Sequence, residues 1–326
     1  MARTLIVLPD DSSRPILNAI ESASKSIRVK MFVFSDPALL KATIAAKRRG
    51  VNVRVMLNAE RRNGERDNDT TRKALLRAGI EVKDANPAFD LTHEKSMVVD
   101  EKSGFVKSLN WATKNFTETR DYAVITERQH DVAEIVEGFE ADWHRENFSP
   151  RRQSHLIWCP GSGRDRICDF IDAAKHKLFV QNERYQDAVI IERLVRAQRR
   201  GVKVRIMARS PHSLKRDKLV EGVGGLRILD DLGVKIHKLK HLKLHGKMLL
   251  ADGVAAIVGS INFAAGSLDD RRELAIAVRD GNIVDRLYRT ARRDWEHSHP
   301  LDLSDEGLLA DLEDRVEDSG QLLGLN

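Results

Sequence analysis

A stretch of ten residues occurs twice in this 326-residue chain, and that duplication constrains the fold more than any other feature. Lys47-Arg48-Arg49-Gly50-Val51-Asn52-Val53-Arg54-Val55-Met56 recurs as Gln198-Arg199-Arg200-Gly201-Val202-Lys203-Val204-Arg205-Ile206-Met207. His93-Glu94-Lys95 recurs as His245-Gly246-Lys247, and Asp142-Trp143 recurs as Asp294-Trp295. The offset is 151 residues for the first match and 152 for the other two. Three matches in one order at nearly one spacing imply two homologous halves, residues 1–150 and 151–300, with a tail at 301–326. The join falls near Arg151 to Gly163, where Pro150, Pro160, Gly161 and Gly163 supply breakers.

Each half alternates helix and strand. Asp36 and Pro37 read as an N-cap and first helical position. Leu39, Leu40, Ile44 and Ala45 form an apolar face, Gly50 stops the helix, and Val51–Leu57 is a strand. The second half repeats this with Ile190, Ile191, Leu194 and Val195, then Gly201, then Val202–Met207. The pattern predicts two α/β lobes, each layered around a central, largely buried mixed sheet. Late helices at 131–145 and 282–296 would cover one face of each sheet.

Composition bounds the function. With 41% hydrophobic and 32% charged residues there is enough apolar material for real cores, and no uncharged apolar run is long enough to span a bilayer. The N-terminal apolar run ends at Asp10 and Asp11 and reads as a buried strand. Two cysteines, Cys159 and Cys168, are too few for a disulfide framework or a thiolate metal site, so we expect a cytoplasmic protein. Residues 301–326 hold eight acids against one arginine, so the body carries +13 of the net +6. A basic body suits an anionic substrate. Leu308, Leu309, Leu312 and Val316 stand at helical spacing in the tail and predict a docked acidic helix.

The chemistry lies between the repeats. The second half reads His245, Lys247, four residues, Asp252, six residues, Gly259-Ser260, then Asn262. The first reads His93, Lys95, four residues, Asp100, six residues, Lys107-Ser108, then Asn110. Residues two apart on a strand share a side, so His and Lys emerge together, with Asp in a turn beyond them. This resembles the HxKxxxxDxxxxxxGSxN signature of the phospholipase D superfamily, present twice and covering roughly residues 5–298.

The resemblance implies a metal-independent, cofactor-free phosphodiester enzyme with one site at a pseudo-twofold interface between the lobes. One histidine attacks phosphorus to give a phosphohistidine, and the other serves as general acid and base. By that resemblance His93 is the nucleophile and His245 the acid/base, although the symmetry of the sequence does not itself decide the order. Lys95, Lys247, Asn110, Asn262, Ser108 and Ser260 would hold nonbridging oxygens. Asp100 and Asp252 are carried over as orienting members of the motif, and Asp121 and Glu273 as acids that hold a histidine beside the substrate. Lys107, where the family prefers glycine for close backbone approach to phosphate, must point elsewhere or add charge to the mouth.

Other residues admit plainer readings. His237, His241 and His245 are spaced four apart like a metal stripe, but Lys238, Lys240 and Lys243 make them an exposed basic connection into a strand. Trp143 and Trp295 read as core or interlobe packing. Trp111 and Phe263, which follow the motif asparagines, are candidates for the cleft wall. Val180-Gln181-Asn182-Glu183-Arg184-Tyr185 resembles a segment of bacterial cardiolipin synthase-like proteins, which favours a phospholipid substrate met peripherally at a membrane surface by a monomer. The alternative is a nuclease, suggested by the basic body and by Arg61-Arg62, Arg151-Arg152 and Arg292-Arg293.

Overall fold

A computed structural model describes residues 3–60, 64–209 and 216–306. Arg61-Arg62 and the Leu308–Val316 stripe lie outside the described residues. The first lobe runs β1 (Arg3–Leu8), α1 (Arg14–Ser22), β2 (Ser26–Met31), α2 (Pro37–Arg48), β3 (Asn52–Leu57), α3 (Asp69–Arg77), β4 (Glu81–Asp84), β5 (Ser96–Val99), β6 (Ser103–Lys107), α4 (Thr113–Thr117), β7 (Thr119–Thr126) and α5 (Gln129–His144). The second runs β8 (Leu156–Cys159), α6 (Gly163–Asp172), β9 (Lys177–Asn182), α7 (Ala188–Arg199), β10 (Lys203–Ala208), α8 (Arg216–Asp231), β11 (Lys235–Leu239), β12 (Lys243–Leu244), β13 (Lys247–Ala251), β14 (Ala255–Gly259), a π-helical turn (Gly266–Asp270), β15 (Glu273–Val278), α9 (Gly281–Glu296) and β16 (Ser298–Pro300).

The strand orders are the same device used twice. The first sheet is β1-β7-β6-β5-β2-β3-β4, and the second is β8-β15-β14-β13-β9-β10-β11-β16. β2, β3 and β4 are parallel, as are β9, β10 and β11, and each needs a helical crossover. The remaining named pairs of the two main sheet paths are antiparallel, so both sheets are mixed. The crossover helices start as expected: the Asp36 side chain accepts from the Ala38 and Leu39 amides, and Asp187 accepts from Ile190 N. The buried stripe of α2 is Leu39, Ala42, Thr43 and Ala46, rotated from the expected face, with Leu40 and Ile44 only partly covered. The presumed linker also holds β8, a fully buried strand that pairs with β15.

Three large apolar cores result, beside a small cluster of Met56, Phe139 and Trp143. One lies within each lobe beneath its outer helices, and a third is shared between the two sheets. Val98, Val106 and Tyr122 of the first lobe meet Met248, Val258 and Leu274 of the second there, roofed by Ile135 of α5 and Leu287 of α9. Each such burial contributes roughly 1.5–3 kcal/mol. The central strands β5, β13 and β14 are therefore buried on both faces, which is why they read as continuous apolar runs. Gly138 permits close contact of α5 with the second lobe, since a Cβ there would lie 2.8 Å from the Trp158 ring.

Several side chains are settled by this packing. Trp143 stacks on Phe139 and Trp295 on His237, each within its own lobe. Trp111 and Phe263 are core residues, set edge-on to Phe34 and Tyr185, and do not line the cleft. Cys159 and Cys168 are free buried thiols whose pKa values burial raises. Gly259 is required by β15, because a Cβ would lie 2.3 Å from Ala275 Cα, and not by approach to phosphate. Its counterpart Lys107 is fully buried, with its amine 5.0 Å from the Trp111 ring centre and no hydrogen-bond partner.

Burial holds the Lys107 amine well below its ordinary range, so the folded chain keeps it neutral while the unfolded chain protonates it up to about pH 10.5. The unfolded state thus binds the extra proton, and stability rises with pH from the depressed value toward 10.5. Lys107→Met is expected to stabilise the protein by about 1–3 kcal/mol at pH 7, with a smaller gain at pH 10. Urea unfolding at both pH values checks this, and a loss of stability at pH 7 refutes it.

Candidate active site

A cleft of about 1180 Å³ opens between the lobes, and both motif histidines line it. Phe32, Asn110 and Asn115 line it from the first lobe, and Glu183, Arg209, Asn262 and Arg271 from the second. The segment Lys238 to Leu244 forms part of its wall.

Each lobe delivers its histidine against the other lobe's backbone. Leu244 of β12 pairs with Arg120 of β7, and the Gly246 amide donates to the Arg120 carbonyl at 2.7 Å. In mirror fashion Thr92 bridges Arg272, whose carbonyl accepts from the His93 and Glu94 amides at 2.9 Å. The acids that follow these arginines then hold the imidazoles. Glu273 lies 2.9 Å from His93 Nδ1, and Asp121 lies 2.8 Å from His245 Nδ1. Each histidine is thus fixed by a carboxylate of the opposite lobe, which leaves its Nε2 for the cleft.

The arginines lock the same joint. Arg120 makes a two-pronged pair with Asp294 through Nε and a terminal nitrogen, both at 2.8 Å. Arg272 does the same with Asp142, at 3.0 and 2.8 Å. Asp142 also takes Lys30 Nζ at 2.6 Å, and Lys30 reaches Glu94 at 2.8 Å. These groups are buried yet partnered, which buried charge requires. The aspartate of each repeated Asp-Trp pair thus joins the lobes, while its tryptophan lies under the equivalent arginines Arg54 and Arg205.

The other motif residues divide. Lys95 and Lys247 lie beneath the histidines, each donating to the carbonyl of its own motif histidine, at 2.6 and 2.5 Å. Asn110 and Asn262 face the cleft, and the Oδ1 of each is buried with no partner. Ser108 and Ser260 do not line the cleft. Ser108 Oγ donates to Asp121 at 2.6 Å and receives the Tyr122 amide, while Ser260 Oγ exchanges hydrogen bonds with the Leu274 backbone. Asp121 and Glu273 likewise sit behind the imidazoles, fully buried, and not on the substrate side.

Asp100 and Asp252 are far from the cleft. Asp100 follows His93 by seven positions, with the four-residue strand β5 between them, so the two stand at opposite ends of that strand. Asp100 accepts from the Ser24, Lys25 and Ser26 amides, and Asp252 from those of Lys175, His176 and Lys177. Burial opposes their ionisation, but these backbone bonds outweigh it and lower both pKa values. Both adopt left-handed backbone in the hairpin turn. They pin each hairpin to the start of β2 or β9 and do not orient the histidines. The three histidines of the possible metal stripe also diverge: His237 stacks on Trp295, His245 meets Asp121, and His241 lies on the cleft wall.

The two halves of the site differ electrically. Burial, then the Lys95, Lys247 and Arg271 cations, hold His93 well below its ordinary range. Burial pushes Glu273 up to about 7 against the pull of Lys95. Burial also disfavours the Asp121 anion, but His245, Lys247 and Ser108 together outweigh it and lower its pKa. Burial brings Lys95 down to about 7.

Sequence reasoning missed Arg120, Arg272, Asn115, Arg209 and Arg271 as parts of the site, and gave Asp142 and Asp294 no role. Arg120 and Arg272 recur at the same 152-residue offset as the aspartates they bind, so the signal was present. Arg120→Met and Asp294→Asn should each cost about 3–5 kcal/mol, because each strands a buried charge or its partners. A double-mutant cycle by urea unfolding should give a coupling above about 1 kcal/mol. Additive effects would mean that the pair does not hold the joint.

Comparison with known proteins agrees with this geometry. The family described as "Cardiolipin synthase, PLD-like domain" matches residues 16–143 and again 167–295. The human mitochondrial cardiolipin hydrolase is 32% identical over 153 residues, covering 44% of this chain and 58% of that protein. The polyphosphate kinase of Vibrio vulnificus is 25% identical over 307 residues, 87% of this chain but 42% of the kinase. Cardiolipin synthase B of Escherichia coli is 25% identical over 323 residues, 83% of this chain and 75% of the synthase. The chain thus spans about half the length of the first two. The crystal structure of a Haemophilus influenzae phosphatidylserine synthase superposes with a TM-score of 0.73 at 10% identity, covering 98% of this chain and 94% of that one, a likeness of fold. With both halves matched and one histidine supplied by each, the chain belongs to the phospholipase D superfamily, in its cardiolipin synthase-like branch.

Proposed function

We propose that the protein cleaves or transfers a phosphodiester of a phospholipid at a membrane surface, through a covalent phosphohistidine and without metal. One observation carries the reading: two imidazoles from different lobes share one cleft, each fixed at Nδ1 by the other lobe's carboxylate. His93, kept neutral by burial, attacks phosphorus through Nε2, forming the N–P bond as the P–O bond to the leaving alcohol breaks. His245 gives its proton to the leaving oxygen. Ionised Asp121 stabilises the imidazolium form before that transfer. Water or a second alcohol then loses its proton to His245 and displaces His93. Lys95, Lys247, Asn110 and Asn262 hold the nonbridging oxygens.

The lipid reading is supported by the cardiolipin enzymes among the relatives and by the cleft wall. Lys238, Lys240 and Lys243 alternate there with Leu239 and Leu242, a pattern suited to anionic headgroups. No helix among the described residues is long and apolar enough to cross a membrane. The proposal places a monomer peripherally at the bilayer, drawn there by its basic residues.

The test is activity on mixed phosphatidylglycerol and phosphatidylcholine vesicles without added metal, beside nicking of a supercoiled plasmid. Headgroup release or cardiolipin formation is expected in the wild type, falling by about 10³-fold or more in His93→Ala. Plasmid cleavage with inert lipid would replace this reading with a nuclease, and silence in both assays would overturn it.

A pH dependence follows from Lys95. Its ammonium is lost as pH rises through about 7 in the empty site, so kcat/KM should fall on that limb. Bound phosphate restores the charge, so kcat should hold to higher pH. Lys95→Met should remove the limb from kcat/KM, and a limb that persists in the variant would assign it elsewhere.

A further inference from the structure

The pseudo-symmetry of the cleft is broken beside the motif histidines, where a phenyl ring and a carboxylate stand at equivalent positions. The 151-residue offset places Glu183 where the first lobe has Phe32. The geometry agrees, because Phe34 bridges Trp111 as Tyr185 bridges Phe263, and Asp36 and Asp187 cap equivalent helices. In the first lobe the Phe32 ring lies edge-on to His93 at 5.1 Å and beneath Lys95 Nζ at 5.2 Å. In the second lobe a carboxylate takes that place. Glu183 accepts from Lys247 Nζ at 2.5 Å and from Arg209 at 2.9 Å, and stands 4.0 Å from His245 Nε2. Its side chain is 11% exposed and lines the cleft. Burial disfavours its charge, but Lys247, His245 and Arg209 together hold it ionised far below the ordinary range.

The two motif lysines are therefore unequal. Lys247 already has an anion, whereas Lys95 meets an aromatic face and the carbonyl of His93. A phosphoryl group lying between the histidines must share the space beside His245 with a fixed negative charge. A phosphodiester brings one charge, which Lys95 can match. A monoester, a pyrophosphate or the end of a polyphosphate brings at least one more, and that charge faces Glu183 in a buried setting where screening is weak.

We propose that Glu183 is a specificity-determining residue that limits the cleft to singly charged phosphodiesters and rejects phosphoryl groups carrying two or more charges. The proposal rests on the reading of the cleft as a phosphodiester site. It concerns charge selection, which neither motif histidine nor motif lysine would provide, since each attracts any phosphate.

The test is calorimetric binding of two probes, dimethyl phosphate as the monoanion and inorganic pyrophosphate as the polyanion, to the full chain at pH 7.5. Glu183→Gln should tighten pyrophosphate by about tenfold or more and dimethyl phosphate by less than about threefold. Glu183→Asp, which keeps the charge, should retain the wild-type preference, and unfolding midpoints of the three proteins report whether the fold is intact. Equal tightening of both probes, or none, overturns the selectivity role while leaving the phosphodiester reading in place. Failure of pyrophosphate to bind any of the three proteins overturns the selectivity role alone, and failure of dimethyl phosphate to bind any of them overturns both. Loss of preference in Glu183→Asp as well as in Glu183→Gln would show that shape and not charge is read, and would also overturn the proposal.

Discussion

The site depends on two dipeptides that reach the opposite lobe through backbone and side chain alike. In Arg120-Asp121 the arginine carbonyl receives the incoming His245 segment, the guanidinium grips Asp294, and the carboxylate fixes His245. Arg272-Glu273 does the same for His93 and Asp142. Neither half can fix its own motif histidine. The ring orientation that leaves Nε2 for the cleft is therefore a property of the joint. The shared apolar core beneath it, from Val106 and Tyr122 to Val258 and Leu274, keeps the joint dry enough for these charges to matter.

Within that frame the two halves have diverged where burial allowed it. Lys30 and Glu94 form a buried ion pair in the first lobe, while the corresponding Gln181 and Gly246 let the Tyr122 ring pack close and its hydroxyl bond Gln181. The same drift exchanged Gly259 for Lys107 and Phe32 for Glu183. One exchange is hidden in the core and alters stability, and the other lies in the cleft and alters charge.

Much of this was legible in the chain because it recurs. The helix–Gly–strand element and the pairing of the two histidines both follow from the offset. β8 was hidden because Pro150, Pro160 and Gly161 surround only four strand residues, and breakers dominate so short a window. The motif spacing places residues on a strand but does not say which end meets the partner lobe. For that reason Asp100 and Asp252 were taken to orient the site, when they lie at the far end of their strands pinning hairpins. Ser108 and Ser260 were misplaced for a related cause, since a side chain one position off the strand face turns toward the carboxylate layer. Glu183 gave no signal through repetition because its position does not repeat.

The crossed dipeptides also say what fusing the halves achieves. A site built by exchange between two identical chains would assemble only above a threshold concentration, and every substitution would appear in both copies at once. Tethering makes assembly intramolecular, so the partner is present at a fixed effective concentration however dilute the protein. It also releases the copies from identity. A carboxylate can then stand beside one imidazole and a phenyl ring beside the other, an inequality that no symmetric pair of chains can encode.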